Sequence, residues 1–111
     1  MFRYPEDLRD IPCPIEKTVT LIGNKWSILL IREFHLSGKA LRFNDLLNSL
    51  KPISSKTLSS KLKDLVLYEI IERNVEDTIP VKIEYRLTEK GKDLGEILRS
   101  MAEWSQKWYE S

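Results

Sequence analysis

The residues best suited to chemistry lie together between positions 54 and 63, which read Ser54-Ser55-Lys56-Thr57-Leu58-Ser59-Ser60-Lys61-Leu62-Lys63. Short hydroxyl side chains donate and accept hydrogen bonds at close range, and lysine reaches guanine acceptors or phosphate oxygens. On a helical wheel at about 100° per residue, Lys56, Ser60 and Lys63 fall opposite Leu58, Leu62 and Leu65. One face of such a helix anchors while the other is short, polar and basic, which suits entry into the major groove of DNA. Because the N-terminal residues of a recognition helix meet base edges, direct readout is assigned to Lys56, Thr57 and Ser60, with Ser55 and Ser59 beside them. Lys61, Lys63 and Arg42 are assigned to phosphate oxygens, where they supply affinity and register. A solvated surface helix could carry the same residues, so their surroundings matter. Residues 39 to 63 hold Lys39, Arg42, Lys51, Lys56, Lys61 and Lys63 against Asp45 alone, or +5, which leaves −4 for the rest of a chain whose net charge is +1. A near-neutral protein can thus carry one focused cationic face.

Other reactive side chains are few. His35 is the single histidine and Cys13 the single cysteine, and two such residues cannot by themselves make a metal site. The four glycines are scattered and form no phosphate-cradling loop. Carboxylates sit among lysines, where solvated surface is the default. Neither an enzyme, a metal nor a cofactor is expected. A lone cysteine gives no intrachain disulfide and fits a reducing cytoplasm. Residues 1 to 12, MFRYPEDLRDIP, place acids and prolines where a secretion signal needs a continuous apolar stretch. The longest aliphatic cluster, Ile28 to Ile31, falls far short of the roughly 18 residues that span a bilayer, so a cytoplasmic protein outside the membrane is expected.

The elements that must position the basic block follow from periodicity. The length of 111 residues, with 41% apolar and 32% charged side chains, fits a single globular domain over residues 1–111. A chain this short buries roughly 65% of its unfolded surface, so the extra burial of a dimer would add stability. Residues 1–12 form an arm. Apolar residues at Ile15, Val19, Ile22, Trp26, Leu29 and Leu30 then predict two helices, about 14–22 and 25–35, parted by Gly23-Asn24 and with Pro14 in the first turn. A short extended segment, Ala40 to Arg42, leads into a third helix with Phe43, Leu46, Leu47 and Leu50 inward, closed by Pro52. The fourth opens with Ser54 as N-cap, which gives a helix-turn-helix over 43–67. Ile70 to Val75 and the strictly alternating Val81-Lys82-Ile83-Glu84-Tyr85-Arg86-Leu87 predict a hairpin within 70–87. A last helix, 89–109, carries Leu94, Ile97, Leu98, Met101, Trp104 and Trp108 on one side. Helix, tight turn, helix and hairpin is the order of a winged helix-turn-helix, so the expected class is α+β, mostly helical. Lys82 and Arg86, outward on the second strand, could straddle the DNA backbone or be ordinary surface residues.

With these elements in place, the chain resembles the HxlR-type (DUF24) winged helix-turn-helix regulators of bacteria. The resemblance rests on Cys13-Pro14-Ile15-Glu16, Leu21-Ile22-Gly23-Asn24-Lys25-Trp26, Arg42-Phe43-Asn44-Asp45-Leu46 and Ile53-Ser54-Ser55-Lys56-Thr57-Leu58-Ser59. It continues through Leu62-Lys63-Asp64-Leu65 to Ile83-Glu84-Tyr85-Arg86-Leu87-Thr88-Glu89-Lys90-Gly91, so that roughly residues 13–108 are covered. It implies a transcription regulator that binds double-stranded DNA as a homodimer on a palindromic operator, with N- and C-terminal helices forming the dimer surface. Ile15, Leu98, Met101, Trp104 and Trp108 are the residues expected there. It also implies redox or electrophile sensing through Cys13, set against the alternative of a buried structural cysteine; the effector, electrophile or small molecule, is unknown. Two features depart from the family. Tyr68-Glu69-Ile70 stands where a glycine usually ends the recognition helix, so a left-handed cap would cost of order 1 kcal/mol. Glu76 and Asp77 in the wing connection would be repelled by phosphate.

The rival reading is a winged-helix protein-interaction module that does not touch DNA. Such a module has no need of +5 within 25 residues, and its outward helix face should carry apolar anchors instead.

Overall fold

The computed structural model describes Leu8 and residues 10–110, so most of the arm expected over residues 1–12 lies outside the described residues. The described elements run α1 (Pro14–Ile22), α2 (Lys25–Ser37), α3 (Phe43–Ser49), α4 (Ser55–Leu67), β1 (Ile71–Glu76), β2 (Lys82–Leu87) and α5 (Glu89–Tyr109). Helix starts are set by local chemistry. Asn24 caps α2 by accepting through Oδ1 from the backbone N–H groups of Trp26 at 2.9 Å and Ser27 at 3.2 Å, two of the donors that a helix start otherwise leaves unpaired. α2 ends at Gly38, whose φ of 66° is left-handed and suits glycine. Thr88 begins α5 by accepting from the Gly91 N–H at 3.1 Å, while its own hydroxyl donates to the Glu69 carbonyl at 2.6 Å. One side chain therefore ties the last helix to the foot of the hairpin.

β1 and β2 pair antiparallel in the register Ile71 with Leu87, Arg73 with Tyr85 and Val75 with Ile83. The extended segment before α3 adds a third rung. Leu41 and Tyr85 exchange both backbone hydrogen bonds at 2.8 Å, which joins the helix-turn-helix to the wing.

The core lies where α2, α3 and α4 meet the root of the hairpin. Leu30, Ile31, Leu46, Leu58, Leu65 and Ile70 are fully buried, with Phe34, Leu62 and Ile71 nearly so. Trp26 is half-buried and packs against this cluster. Leu98 belongs to it as well, which corrects its expected place on the dimer surface: at 9% exposure it is held by its own chain. Its place at i+4 from Leu94 and i+3 to Met101 hid this, because both stripes of a long helix can look alike in sequence. α5 crosses α2 closely, and a Cβ on Gly95 would run into the His35 ring. α1, by contrast, buries only Ile22. No described helix is long and apolar enough to cross a membrane.

The end of α4 settles the question raised by the missing glycine. Glu69 adopts a φ of 62°, and the Glu69 and Ile70 N–H groups donate to the carbonyls of Val66 at 3.0 Å and Leu65 at 2.9 Å. That is the two-bond arrangement in which a left-handed residue closes a helix, and Leu65 and Ile70, the residues flanking it, are both buried in the core cluster. The turn keeps its form and Glu69 bears the cost.

Candidate nucleic-acid interface

α4 presents the serine- and lysine-rich face to solvent. Ser55, Lys56, Ser59, Ser60 and Lys63 are exposed, while Leu58, Leu62 and Leu65 on the far side are buried. The helix begins sharply because Ser54 Oγ accepts from the Thr57 N–H at 3.1 Å and donates to Thr57 Oγ1 at 2.9 Å. Thr57 is half-buried and held by the cap through both its N–H and its hydroxyl oxygen. Lys56 and Lys63 form no ion pair among the described residues. Lys61 differs: it is half-buried and its ammonium lies 3.9 Å from the Asp64 carboxylate, so part of its charge is already balanced.

Ahead of α4, Arg42 is exposed at the start of α3, and its backbone N–H donates to Asp45 Oδ2 at 3.0 Å. The single acid of the basic segment is therefore engaged at a helix N-terminus, where the dipole favours negative charge. Behind α4, Tyr68 is buried; burial first, and then the Asp64 carboxylate, push its phenol above the usual tyrosine range and keep it neutral.

The wing divides the expected contacts by face, since successive strand side chains point to opposite sides. Lys82 and Arg86 share their face with Glu72, Asn74, Glu76 and Glu84, three acids against two cations. Arg86 Nε lies 3.9 Å from Glu72, and Lys82 is the register partner of Glu76. Arg73 lies on the other face, in the row of Ile71 and Val75, and borders a groove of about 390 Å³ with Ser59, Leu62, Lys63, Val66 and Tyr85. The structure therefore brings Arg73 beside Ser59 and Lys63 of α4. The sequence carried a signal for this residue, a cation at an inward position of an otherwise apolar strand row.

The opposite end of the molecule has a different surface. On α5, Leu94, Ile97, Met101, Trp104 and Trp108 repeat at intervals of three and four residues, the spacing of a coiled-coil seam. Trp104 and Trp108 are 58% and 63% exposed and so lie outside the core of this chain. Ile15 and Val19 of α1 are 75% and 57% exposed, and a recess of about 240 Å³ bordered by Thr18, Leu21, Leu94 and Ile97 joins the two helices. Cys13 caps α1 through its backbone position only, with its side chain exposed, so it is not a buried structural cysteine of this chain.

The sequence profile of the HxlR-like helix-turn-helix family matches residues 21–111. The chain belongs to the HxlR-like family. Among relatives of similar sequence, the HTH-type transcriptional regulator YvaP of Bacillus subtilis is 37% identical over 97 residues, covering 86% of this chain and 88% of YvaP. YodB of the same organism is 36% identical over 99 residues, covering 88% of this chain and 87% of YodB. The solved structure of reduced YodB superimposes with a TM-score of 0.77 at 35% identity, over 90% of this chain and 97% of that one. The redox regulator HypR in its oxidised form gives 0.78 at 34% identity, over 86% and 96%. A MarR-family regulator from Porphyromonas gingivalis gives 0.81 at 26%, over 89% and 95%. This HxlR-like protein is accordingly a helix-turn-helix transcription regulator of winged-helix fold and not an enzyme.

Proposed function

We propose that the protein binds double-stranded DNA sequence-specifically, as a homodimer on a palindromic operator. The observation that carries this reading is the exposed face of α4, where Lys56, Ser59, Ser60 and Lys63 stand free of acidic partners on a helix anchored from behind. Lys56, Thr57 and Ser60 read base edges, with Ser55 and Ser59 adjacent, while Lys63 and Arg42 hold phosphates and Lys61 contributes less because of Asp64. On the wing, Arg73 takes the phosphate or minor-groove contact. Lys82 and Arg86 are secondary, because they sit among carboxylates that phosphate would repel.

The dimer forms through the α5 seam of Ile97, Met101, Trp104 and Trp108, supported by Ile15 and Val19. Apolar surface of this extent on two adjoining helices is characteristic of association sites. Enrichment of random duplexes on the protein, followed by sedimentation of the complex with the enriched site, tests both parts. Two inverted half-sites and two chains per duplex are expected; a single asymmetric site bound by one chain would refute the dimeric reading.

We further propose that the dimer responds to oxidants or electrophiles through Cys13. The support is an exposed thiol at the head of α1, two residues before Ile15 of the proposed interface, and the likeness to redox-regulated YodB and HypR. With one cysteine per chain, oxidation by an external oxidant such as diamide removes two electrons and two protons from two thiols and joins two chains, or one chain and a small thiol. Cys13→Ser should bind the operator normally and ignore diamide. Persistence of the diamide response in that variant would reject the sensor.

A further inference from the structure

A further recess of about 500 Å³ lies within the range of roughly 300 to 1,000 Å³ usual for small-ligand sites; of its lining, Arg86 also belongs to the wing and Asp93 also borders the recess between α1 and α5. Its walls come from the end of α2, the turn that follows, the end of β2 and the first half of α5. Phe34, 2% exposed, and Leu87 give it an apolar floor. Its rim carries charges of both signs, and most of them are engaged elsewhere. Arg86 lies 3.9 Å from Glu72, Lys92 lies 3.3 Å from Glu89, and Glu96 faces Arg99 at 3.5 Å and His35 at 3.9 Å. Two rim groups have no ion-pair partner among the described residues: the Lys39 ammonium on the turn after α2 and the Asp93 carboxylate on α5. They border the same recess.

An unpaired cation and an unpaired anion on different walls above an apolar floor match a small molecule that bears both charges and an apolar body. We propose that this recess binds a free α-amino acid with an apolar side chain, its carboxylate on Lys39, its ammonium on Asp93 and its side chain on Phe34 and Leu87. Both side chains are exposed at the rim, and neither gives up an existing ion pair among the described residues to form its charged hydrogen bond to the ligand. The site also joins the two halves of the molecule. Lys39 leads into the Leu41 bridge that holds the wing, and Asp93 stands on the helix that carries the Trp104 seam. Control of operator affinity by the ligand follows from this placement and rests on the DNA-binding reading above; ligand binding itself does not.

Calorimetric titration of the full chain without DNA, using L-phenylalanine, L-leucine and L-methionine, tests the site. Saturable binding of one ligand per chain is expected for at least one of them. For L-phenylalanine, loss of either charge, in hydrocinnamate or L-phenylalaninamide, and each of Lys39→Ala and Asp93→Asn should weaken binding about tenfold or more. Absence of saturable binding by all three amino acids would overturn the proposal. So would hydrocinnamate binding as tightly as L-phenylalanine, or binding that neither variant changes. Because the titration is read without DNA, failure of the operator reading leaves its result unaffected.

Discussion

α4 and α5 are built on the same plan and finished differently. Each is amphipathic, each starts on a hydroxyl N-cap, and each buries part of one face in the common core, α4 with Leu58, Leu62 and Leu65 and α5 with Gly91, Gly95 and Leu98. The outer face of α4 is Ser and Lys, groups that water satisfies fully until phosphates and base edges replace it. The outer face of α5 is Ile97, Met101, Trp104 and Trp108, groups that water does not satisfy at all. A helix of the first kind, once packed on its own core, needs no partner chain and binds by exchanging one set of polar partners for another. A helix of the second kind is finished only when a second apolar surface covers it. The contrast underlies the proposal that DNA meets α4 and a second copy of the chain meets α5.

The largest effect that would break this contrast is expected at the tryptophans. Trp104→Ala/Trp108→Ala should give a folded monomer by sedimentation, with operator affinity down by about 100-fold or more, since each chain would then hold one half-site without the avidity of two. A variant that stays dimeric would move the interface elsewhere. Adjacent residues on α5 sharpen the same point. Leu98→Ala should cost about 2–4 kcal/mol in denaturant unfolding, as a buried leucine does, whereas Ile97→Ala should weaken the dimer and leave monomer stability nearly unchanged. Equal losses from the two would erase the boundary between core and interface.

Smaller effects are expected near the DNA. Arg73→Ala should reduce the slope of log affinity against log salt by about one and weaken all duplexes alike, with Arg86→Ala nearly silent; the reverse ranking would place the other face of the wing on DNA. Glu69→Gly should raise stability by roughly 1 kcal/mol, because glycine takes the left-handed φ without the clash that a Cβ brings. An unchanged or lowered unfolding midpoint would show that the cap carries no such cost.

Much of this arrangement is legible in the residues themselves. Pro14 and Ser54 mark helix starts because each meets the problem of unpaired N–H groups in a way that sequence displays, whereas the caps at Asn24, read only as part of a break, and at Thr88 emerge from the structure. The alternation of Val81 to Leu87 gives β2, found over Lys82–Leu87, and the exposed face of α4 follows from the wheel. What sequence does not display is pairing between distant residues. The Leu41–Tyr85 rung, the close crossing of Gly95 over His35 and the burial of Leu98 depend on how elements meet, and no local periodicity encodes it. Arg73 falls between these cases. Its position in an inward row is written in the chain, but only the register against Tyr85 places it next to α4. The acidic neighbours of Lys82 and Arg86 are visible in sequence too, and their effect becomes plain once the pleat gathers them on one face.

The role of α4 is tested most directly by binding to a fluorescent duplex pool from upstream of the protein's own gene, across a salt series, with wild type compared to Lys56→Ala/Ser60→Ala. Saturable, sequence-selective binding that falls steeply with salt, and that in the variant loses selectivity while keeping residual non-specific affinity, is the expected result. A folded dimer that binds no duplex at low salt, or a variant as selective as wild type, would contradict the assignment of α4 as the helix that reads DNA.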